Sequence, residues 1–298
     1  MDRTQNISYK DCFSVMDRKI AYGSLVIVAV VWGATFPIIK LSLTFIDPIS
    51  FLLFRFAIAA VVLLPFVIKK MNKRDAIYGT IVGIPLFLGY VTQTVGLQYT
   101  SPSMSGLITG IYIVLTPILS IFILRNGLDM VKIYLAVAAF VGMALMTISS
   151  TSGEALGNLL TIATAFCYAL QLVLTEKYLK TGNPLVFTFF QLIVVAVLSL
   201  LISPGSVLKA GILTNGYVLF SVLFNAILGS TLAIWLMSVA IRNTNAYISA
   251  LILVIEPVSA VMVSTIFFHF PVTTLMILGG AIILVSMVLA INRENKKI

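Results

Sequence analysis

The chain has 298 residues, of which 60% are hydrophobic and only 10% carry a charge. This balance excludes a soluble globular protein, because too few polar residues remain to cover a surface exposed to water. Apolar runs of about 20 residues, the length that a helix needs to cross a bilayer, recur along the whole chain and predict an all-α integral membrane protein. The formal charge of +9 would suggest nucleic-acid binding in a soluble protein. Here the basic residues lie in short loops, so we expect no nucleic-acid partner.

Short turns rich in Pro, Gly, Asn and Asp separate the apolar runs, and the pattern predicts ten transmembrane helices. We expect residues 1–19 to form a cytoplasmic tail before a retained first helix, rather than a cleaved signal peptide, and residues 292–298 to form a basic tail. The predicted spans are 20–41, 48–68, 76–97, 102–124, 133–149, 156–178, 184–202, 217–241, 245–268 and 272–291.

The basic residues are divided very unevenly between the two sides of this arrangement. With the N-terminus inside, every Lys and Arg except Lys40, Lys209 and Arg55 falls in a cytoplasmic loop or tail. Short cytoplasmic loops of membrane proteins carry an excess of Lys and Arg. The pattern therefore predicts a multi-pass protein of the cell membrane, the plasma membrane, with both termini in the cytoplasm.

Two stretches of the chain, residues 96–120 and 240–264, align with each other without a gap. The alignment predicts two five-helix repeats, residues 20–149 and 156–291, joined by a linker at residues 150–155. Because each repeat has an odd number of spans, the second enters the membrane from the opposite side. Inverted repeats of this kind are typical of secondary transporters, which bind their solute near the midplane between the repeats.

Helix-breaking residues recur at related places in the two repeats. The third span contains Pro85, the fourth Gly110, the eighth Gly229 and the ninth Pro257. A broken helix offers backbone polar groups and can flex, so paired interruptions indicate a transport site. The alternative is that the glycines only permit close packing of helices.

Polar and aromatic side chains at helical spacing share one face on several spans. Together they predict a central cavity that is polar but largely uncharged, which suits a small amphipathic solute. Hydrogen bonding between helices, without a solute, is the alternative for each Ser and Thr. The candidate substrate-binding residues are Trp32, Thr35, Tyr90, Gln93, Ser105, Thr109, Tyr112, Tyr168, Gln171, Asn225, Trp235, Ser249 and Glu256.

Two ionisable residues are predicted to lie deep in the membrane, Arg55 in the second span and Glu256 in the ninth. A charge at the bilayer centre costs about 2.5–3.5 kcal/mol on insertion scales, so neither should face lipid. Glu256 is a candidate proton carrier or cation ligand, or a charge partner for Arg55. Arg55 is a candidate for attracting an anionic group or for binding backbone carbonyls. His269, the only histidine, is expected at the outer end of the ninth span, and we expect no metal site and no cofactor.

Several short motifs add a resemblance to a known family. Residues 32–36 read WGATF, 54–56 read FRF, 96–101 read GLQYTS, and Glu256 precedes Pro257. In this order they resemble the two EamA domains of the drug/metabolite transporter superfamily. The resemblance implies a ten-helix inverted-repeat carrier with a central cavity, usually exporting amino acids or related metabolites. The Leu-Gly-Glu turn that family members often have after the fourth and ninth spans is absent, so no role is transferred to an acidic residue there.

The favoured hypothesis is a secondary active transporter that moves a small metabolite, an amino acid or related solute, by alternating access. Its expected partners are the solute, the lipid bilayer and protons or another coupling ion. No Gly-x-x-x-x-Gly-Lys-Ser/Thr loop is present, which argues against ATP hydrolysis. A lipid-modifying enzyme is less favoured, because one histidine and one mid-membrane carboxylate supply little catalytic chemistry, and we expect no enzymatic activity. A scaffold or receptor explains the spans but not the paired helix breaks.

Overall fold

The computed structural model describes residues 17–125, 127, 129–147, 155–256, 258–259 and 273–296. Within these ranges the chain forms a helical bundle. Its helices are α1 (Arg18–Ser42), α2 (Pro48–Val67), α3 (Lys73–Tyr99), α4 (Pro102–Thr109), α5 (Tyr112–Leu124), α6 (Met130–Thr147), α7 (Ala155–Tyr178), α8 (Pro184–Ile202), α9 (Gly216–Phe224), α10 (Ala233–Asn243), α11 (Ala246–Leu253) and α12 (Thr274–Asn295). A 3-10 helix, Pro204–Thr214, precedes α9, and a π-helix, Asn225–Leu232, connects α9 to α10.

Eight helices in the described part of the chain are long and apolar enough to cross a membrane. The helical membrane class predicted from composition is thereby confirmed. The apolar part of α6, Met130–Leu145, is shorter than these eight. Pro257, His269, the first sixteen residues of the predicted N-terminal tail, residues 150–154 of the linker and the end of the basic tail lie outside the described residues.

Turn chemistry defines where three of the helices begin. α2, α4 and α8 start at Pro48, Pro102 and Pro184, as the turns between spans predicted. Proline suits the first position of a helix, because the backbone N–H that it lacks would have no partner there. The residue before each proline accepts a hydrogen bond from a backbone N–H of the first turn, at 3.0, 3.1 and 3.0 Å.

The two halves of the chain interlock. α2 packs against α8, and α6 packs against α12. α3 lies against α7 and α8, while α1 lies against α10 and the π-helix. The most extensive contacts thus join a helix from the first half to one from the second, and the space that they enclose lies between the halves.

α3 is continuous from Lys73 to Tyr99 and includes Pro85. The predicted interruption of the third span is therefore wrong, and its glycines instead permit close packing of helices. A Cβ atom on Gly79 would collide with the carbonyl oxygen of Phe187 in α8. The close approach of α3 and α8 thus depends on this glycine.

We predict that Gly79→Ala lowers the free energy of unfolding by about 1–3 kcal/mol, because the added methyl group forces the backbones of α3 and α8 apart. Gly23→Ala is the matched control, since no atom lies within 4 Å of a Cβ built at Gly23. Thermal unfolding of the purified, detergent-solubilised variants measures the effect. Equal unfolding temperatures for the two variants would contradict this account of the packing.

Candidate functional site

Two helices are interrupted at positions that the repeat alignment relates. α4 ends at Thr109 with Gly110 as its C-cap, and α11 ends at Leu253 with Val254 as its C-cap. The two cap residues have nearly the same backbone conformation, φ −60° and ψ −9° in α4 against φ −65° and ψ −5° in α11. The break predicted in the fourth span is confirmed, and the ninth has one at Val254, three residues before the predicted position.

The breaks place Tyr112 and Glu256 at corresponding positions, two residues beyond each cap. Both side chains line a single cavity between the helices of the two halves. The hydroxyl of Tyr112 is buried and has no hydrogen-bond partner within the described ranges. A buried polar atom without a partner is unfavourable, so Tyr112 Oη is available to a ligand or a water molecule.

The central cavity has a volume of about 40 Å³, room for roughly three water molecules at ~10–15 Å³ each. Side chains from both halves of the bundle form its wall. The structure brings together most of the residues predicted from the sequence, although their binding of a solute remains a prediction. Those that line the cavity are Trp32, Thr35, Arg55, Tyr90, Gln93, Thr109, Tyr112, Tyr168, Gln171 and Glu256.

Two predicted residues of the eighth span are not at the cavity wall. Met237 of α10 lines the cavity, and Trp235 stands two residues earlier, about 200° around an α-helix, so it points to the opposite side. Asn225 is buried in the π-helix, where its Nδ2 donates to the carbonyl of Ser221 at 2.9 Å.

Two predicted serines are also absent from the wall. Ser105 and Ser249 lie one helical turn before Thr109 and Leu253, which do line the cavity. One turn displaces each serine by about 6 Å along its helix. Ser249 Oγ instead lies 3.3 Å from Thr244 Oγ1.

The prediction missed the apolar part of the wall. Several apolar residues of the wall lie one helical turn from a predicted polar residue. Ile39 follows Thr35 by four residues, and Leu97 follows Gln93 by four. Polarity alone does not single them out. They are Phe36, Ile39, Leu86, Leu97, Leu172, Met237 and Leu253.

Arg55 is 2% exposed and is bound by the π-helix. Its Nε donates to Ser230 Oγ at 2.7 Å, and its Nη2 donates to the carbonyl of Gly229 at 3.2 Å and to Tyr90 Oη at 3.4 Å. The guanidinium carbon also lies 4.7 Å from the centre of the Tyr90 ring. The Gly229 carbonyl accepts a second hydrogen bond, from Trp32 Nε1 at 2.9 Å. The predicted binding of Arg55 to a backbone carbonyl is thus seen in the structure.

Arg55 and Glu256 line the same cavity, but no ion pair joins them among the residues described. The suggested direct charge pair is absent because the guanidinium is hydrogen-bonded to the π-helix and to Tyr90. These bonds use Nε and Nη2 and leave Nη1 without a partner in the described part of the chain. The cavity therefore presents a guanidinium nitrogen and a carboxyl group that are not bonded to each other.

A chain of hydrogen bonds joins side chains from three helices in the wall of the central cavity, which Arg55 and Glu256 also line. Tyr168 Oη donates to Gln93 Oε1 at 2.9 Å, and Gln93 Nε2 donates to Thr109 Oγ1 at 3.4 Å. The ring of Tyr168 meets the ring of Tyr90 edge-on, with centres 5.6 Å apart. These contacts orient α7, α3 and the end of α4 around the cavity.

Comparison with known proteins finds relatives over most of the chain. The profile of the EamA-like transporter family matches twice, at residues 19–148 and 155–292. An uncharacterized transporter of Archaeoglobus fulgidus is 31% identical over 265 residues, which is 89% of this chain and 83% of that protein. The S-adenosylmethionine uptake transporter of Rickettsia prowazekii is 27% identical over 151 residues, 49% of this chain and 51% of that protein. One solved crystal structure superposes with a TM-score of 0.76 over 94% of this chain and 99% of that one; at 15% identity this likeness shows the fold alone.

We predict that Ser230→Ala lowers the free energy of unfolding by about 1–3 kcal/mol, because it removes the partner of a buried charged N–H. Ser221→Ala is the matched control: Ser221 Oγ is buried nearby without a hydrogen-bond partner within the described residues, so its loss should change little. Thermal unfolding of both variants provides the comparison. An unfolding temperature unchanged by Ser230→Ala would show that the hydrogen bond to Arg55 contributes nothing.

Proposed function

The chain belongs to the EamA-like transporter family, and we propose that it is a secondary active transporter of a small zwitterionic metabolite, an amino acid or a related amphipathic solute. The observation that carries this proposal is a cavity in which Arg55 and Glu256 are present but not paired with each other. We propose export as the direction, as the family resemblance implies, with protons as the coupling ion.

We further propose ten transmembrane helices in two inverted repeats, with both termini in the cytoplasm. The double match of the family profile supports two repeats. The packing also fits a twofold axis in the membrane plane. Such an axis relates α2 to α8 and α6 to α12, and the two helices of each pair pack against each other. The same axis relates α3 to α10 and α7 to α1, so the contact between α3 and α7 corresponds to the contact between α10 and α1.

The two ionisable groups suit the two ends of a zwitterion. Arg55 Nη1 is free to donate to a carboxylate, and a charge-assisted hydrogen bond of this kind is stronger than a neutral one. Glu256, when ionised, accepts from an ammonium group. The rings of Trp32, Tyr90 and Tyr168 supply an amphipathic wall for the rest of the solute.

Solute binding requires the cavity to widen. A volume of about 40 Å³ is far below the roughly 300–1,000 Å³ of pockets that hold small ligands. The breaks at Gly110 and Val254 interrupt the backbone on both sides of the cavity and are the places where α4 and α11 can move. Alternating access would then open the cavity to one side of the membrane at a time.

Counterflow into proteoliposomes tests the function. We expect one or more solutes from a panel of amino acids, with S-adenosylmethionine included, to exchange across the membrane. Exchange should fall when the solute carboxylate is converted to an amide, since Arg55 then loses its anionic partner. Trp32→Phe should slow exchange and Trp235→Phe should not, because only the first side chain lines the cavity. No exchange with any solute of the panel would favour the scaffold or receptor.

We predict that Glu256→Gln lowers proton-driven transport by about tenfold or more, as expected for loss of an essential acid or base. The amide cannot carry a proton, so the variant should also lose the pH dependence of transport. Tyr112→Phe, at the repeat-related position, is the control and should keep that dependence. An unchanged rate with unchanged pH dependence in Glu256→Gln would exclude the proton role.

A further inference from the structure

A second cavity, of about 320 Å³, lies where α5 and α7 end, α6 and α11 begin and α12 ends. We call it the polar vestibule and define it by Ser120, Asp129, Lys132, Glu176, Tyr247 and Glu294, which line it. In the proposed orientation it lies at the cytoplasmic end of the bundle. It is much larger than the central cavity and contains more charged groups.

The polar vestibule continues the central cavity along shared elements of the fold. On α7, Glu176 follows Gln171 of the central cavity by five residues, about 7.5 Å at 1.5 Å per residue. On α11, Tyr247 precedes Leu253 of the central cavity by six residues, about 9 Å. The vestibule and the central cavity are therefore neighbours along both helices.

Two of the three carboxylates that line the vestibule, Asp129 and Glu294, form ion pairs within the described ranges. Arg293 pairs with Asp129 at 2.7 Å, and Lys132 pairs with Glu294 at 3.4 Å. Glu176 forms no ion pair within the described ranges. Its Oε2 accepts from the backbone N–H of Ala246 at 2.7 Å, which leaves Oε1 without a hydrogen-bond partner among the same residues.

Two hydroxyl groups in the vestibule also lack partners. Tyr247 is 4% exposed and Ser120 is 7% exposed, and neither Tyr247 Oη nor Ser120 Oγ makes a hydrogen bond within the described part of the chain. Both residues line the vestibule with Glu176. Buried polar atoms are normally satisfied, so these oxygens indicate a hydrogen-bonding ligand in the space that they share.

We propose that the polar vestibule is a second binding site, which takes the ammonium group of a solute before that solute reaches the central cavity. An ammonium group has three N–H donors and no acceptor. The carboxylate of Glu176 and the hydroxyl oxygens of Tyr247 and Ser120 are acceptors for those three donors. The site thus recognises primary amines whether or not they carry a carboxylate, in contrast to the central cavity, where Arg55 supplies the donor for a carboxylate.

The role of this site as a loading site rests on the proposed transport function, but its test does not require transport. Ethylamine is the probe, because it is alanine without its carboxylate. Propionate, which lacks the ammonium group, is the negative control. Saturation-transfer NMR on the purified full-length protein gives apparent dissociation constants for both compounds.

Glu176→Gln should weaken ethylamine binding by about tenfold or more, and Tyr247→Phe by about threefold to tenfold, because each removes an acceptor of a charged donor. Asp75→Asn is the matched control. Asp75 also accepts from a backbone N–H, that of Asn183 at 2.7 Å, but it does not line the vestibule. Asp75→Asn should leave ethylamine binding within about twofold, because Asp75 does not line the vestibule.

The proposal is overturned if the unchanged protein does not bind ethylamine, or if Glu256→Gln abolishes binding while Tyr247→Phe leaves it intact. If Glu176→Gln does not fold, Tyr247→Phe alone decides between these results. Failure of the transport function would appear separately, as absence of counterflow with every solute of the panel.

Discussion

The centre of the bundle depends on holding the guanidinium of Arg55 away from both water and lipid. A charge in that position is expensive, so it persists only with partners that the protein supplies. The π-helix provides them, because Ser230 and the carbonyl of Gly229 accept from Arg55. A Cβ on Gly229 would lie 3.2 Å from Thr35 Cγ2 and 3.4 Å from Arg55 Nη2. Because Gly229 has no side chain, α1, α2 and the π-helix can approach one another there. The carbonyl of Gly229 then accepts hydrogen bonds from both Arg55 and Trp32.

The helix breaks show how related backbones carry different chemistry. α4 and α11 end at equivalent residues with nearly equal dihedral angles, although one cap is Gly110 and the other Val254. Neither cap has a positive φ, so the break needs no glycine. The side chains that follow differ: Tyr112 offers a neutral hydroxyl and Glu256 a carboxyl group. The two breaks thus present different chemical groups to the same cavity.

Lys40, near the end of α1, and Glu176, near the end of α7, each bind the terminus of another helix. Lys40 donates to the carbonyls of Gln98 and Thr100 at 3.2 and 3.1 Å, at the C-terminus of α3. Glu176 accepts from Ala246 N at 2.7 Å, at the N-terminus of α11. A cation suits the partial negative charge of a helix C-terminus, and an anion suits the positive charge of an N-terminus. The two residues therefore bind helix termini of opposite partial charge, and the carboxylate of Glu176 also lines the polar vestibule.

The sequence by itself determined the membrane class, eight of the spans and the starts of α2, α4 and α8, because bilayer thickness and proline geometry act locally. Helical spacing also predicted most of the polar cavity wall, including Tyr90 and Gln93, since residues three or four apart lie on the same face of a regular α-helix.

Only the tertiary structure decided that Trp235 does not line that wall. The π-helix before α10 closes i→i+5 hydrogen bonds and rotates the following residues away from the α-helical phase. Tertiary structure also decided that α3 is continuous through Pro85 and packs closely on α8 at Gly79, and that Arg55 binds Gly229 and Ser230. These outcomes depend on which helices lie side by side, and spacing along a single helix does not contain that information.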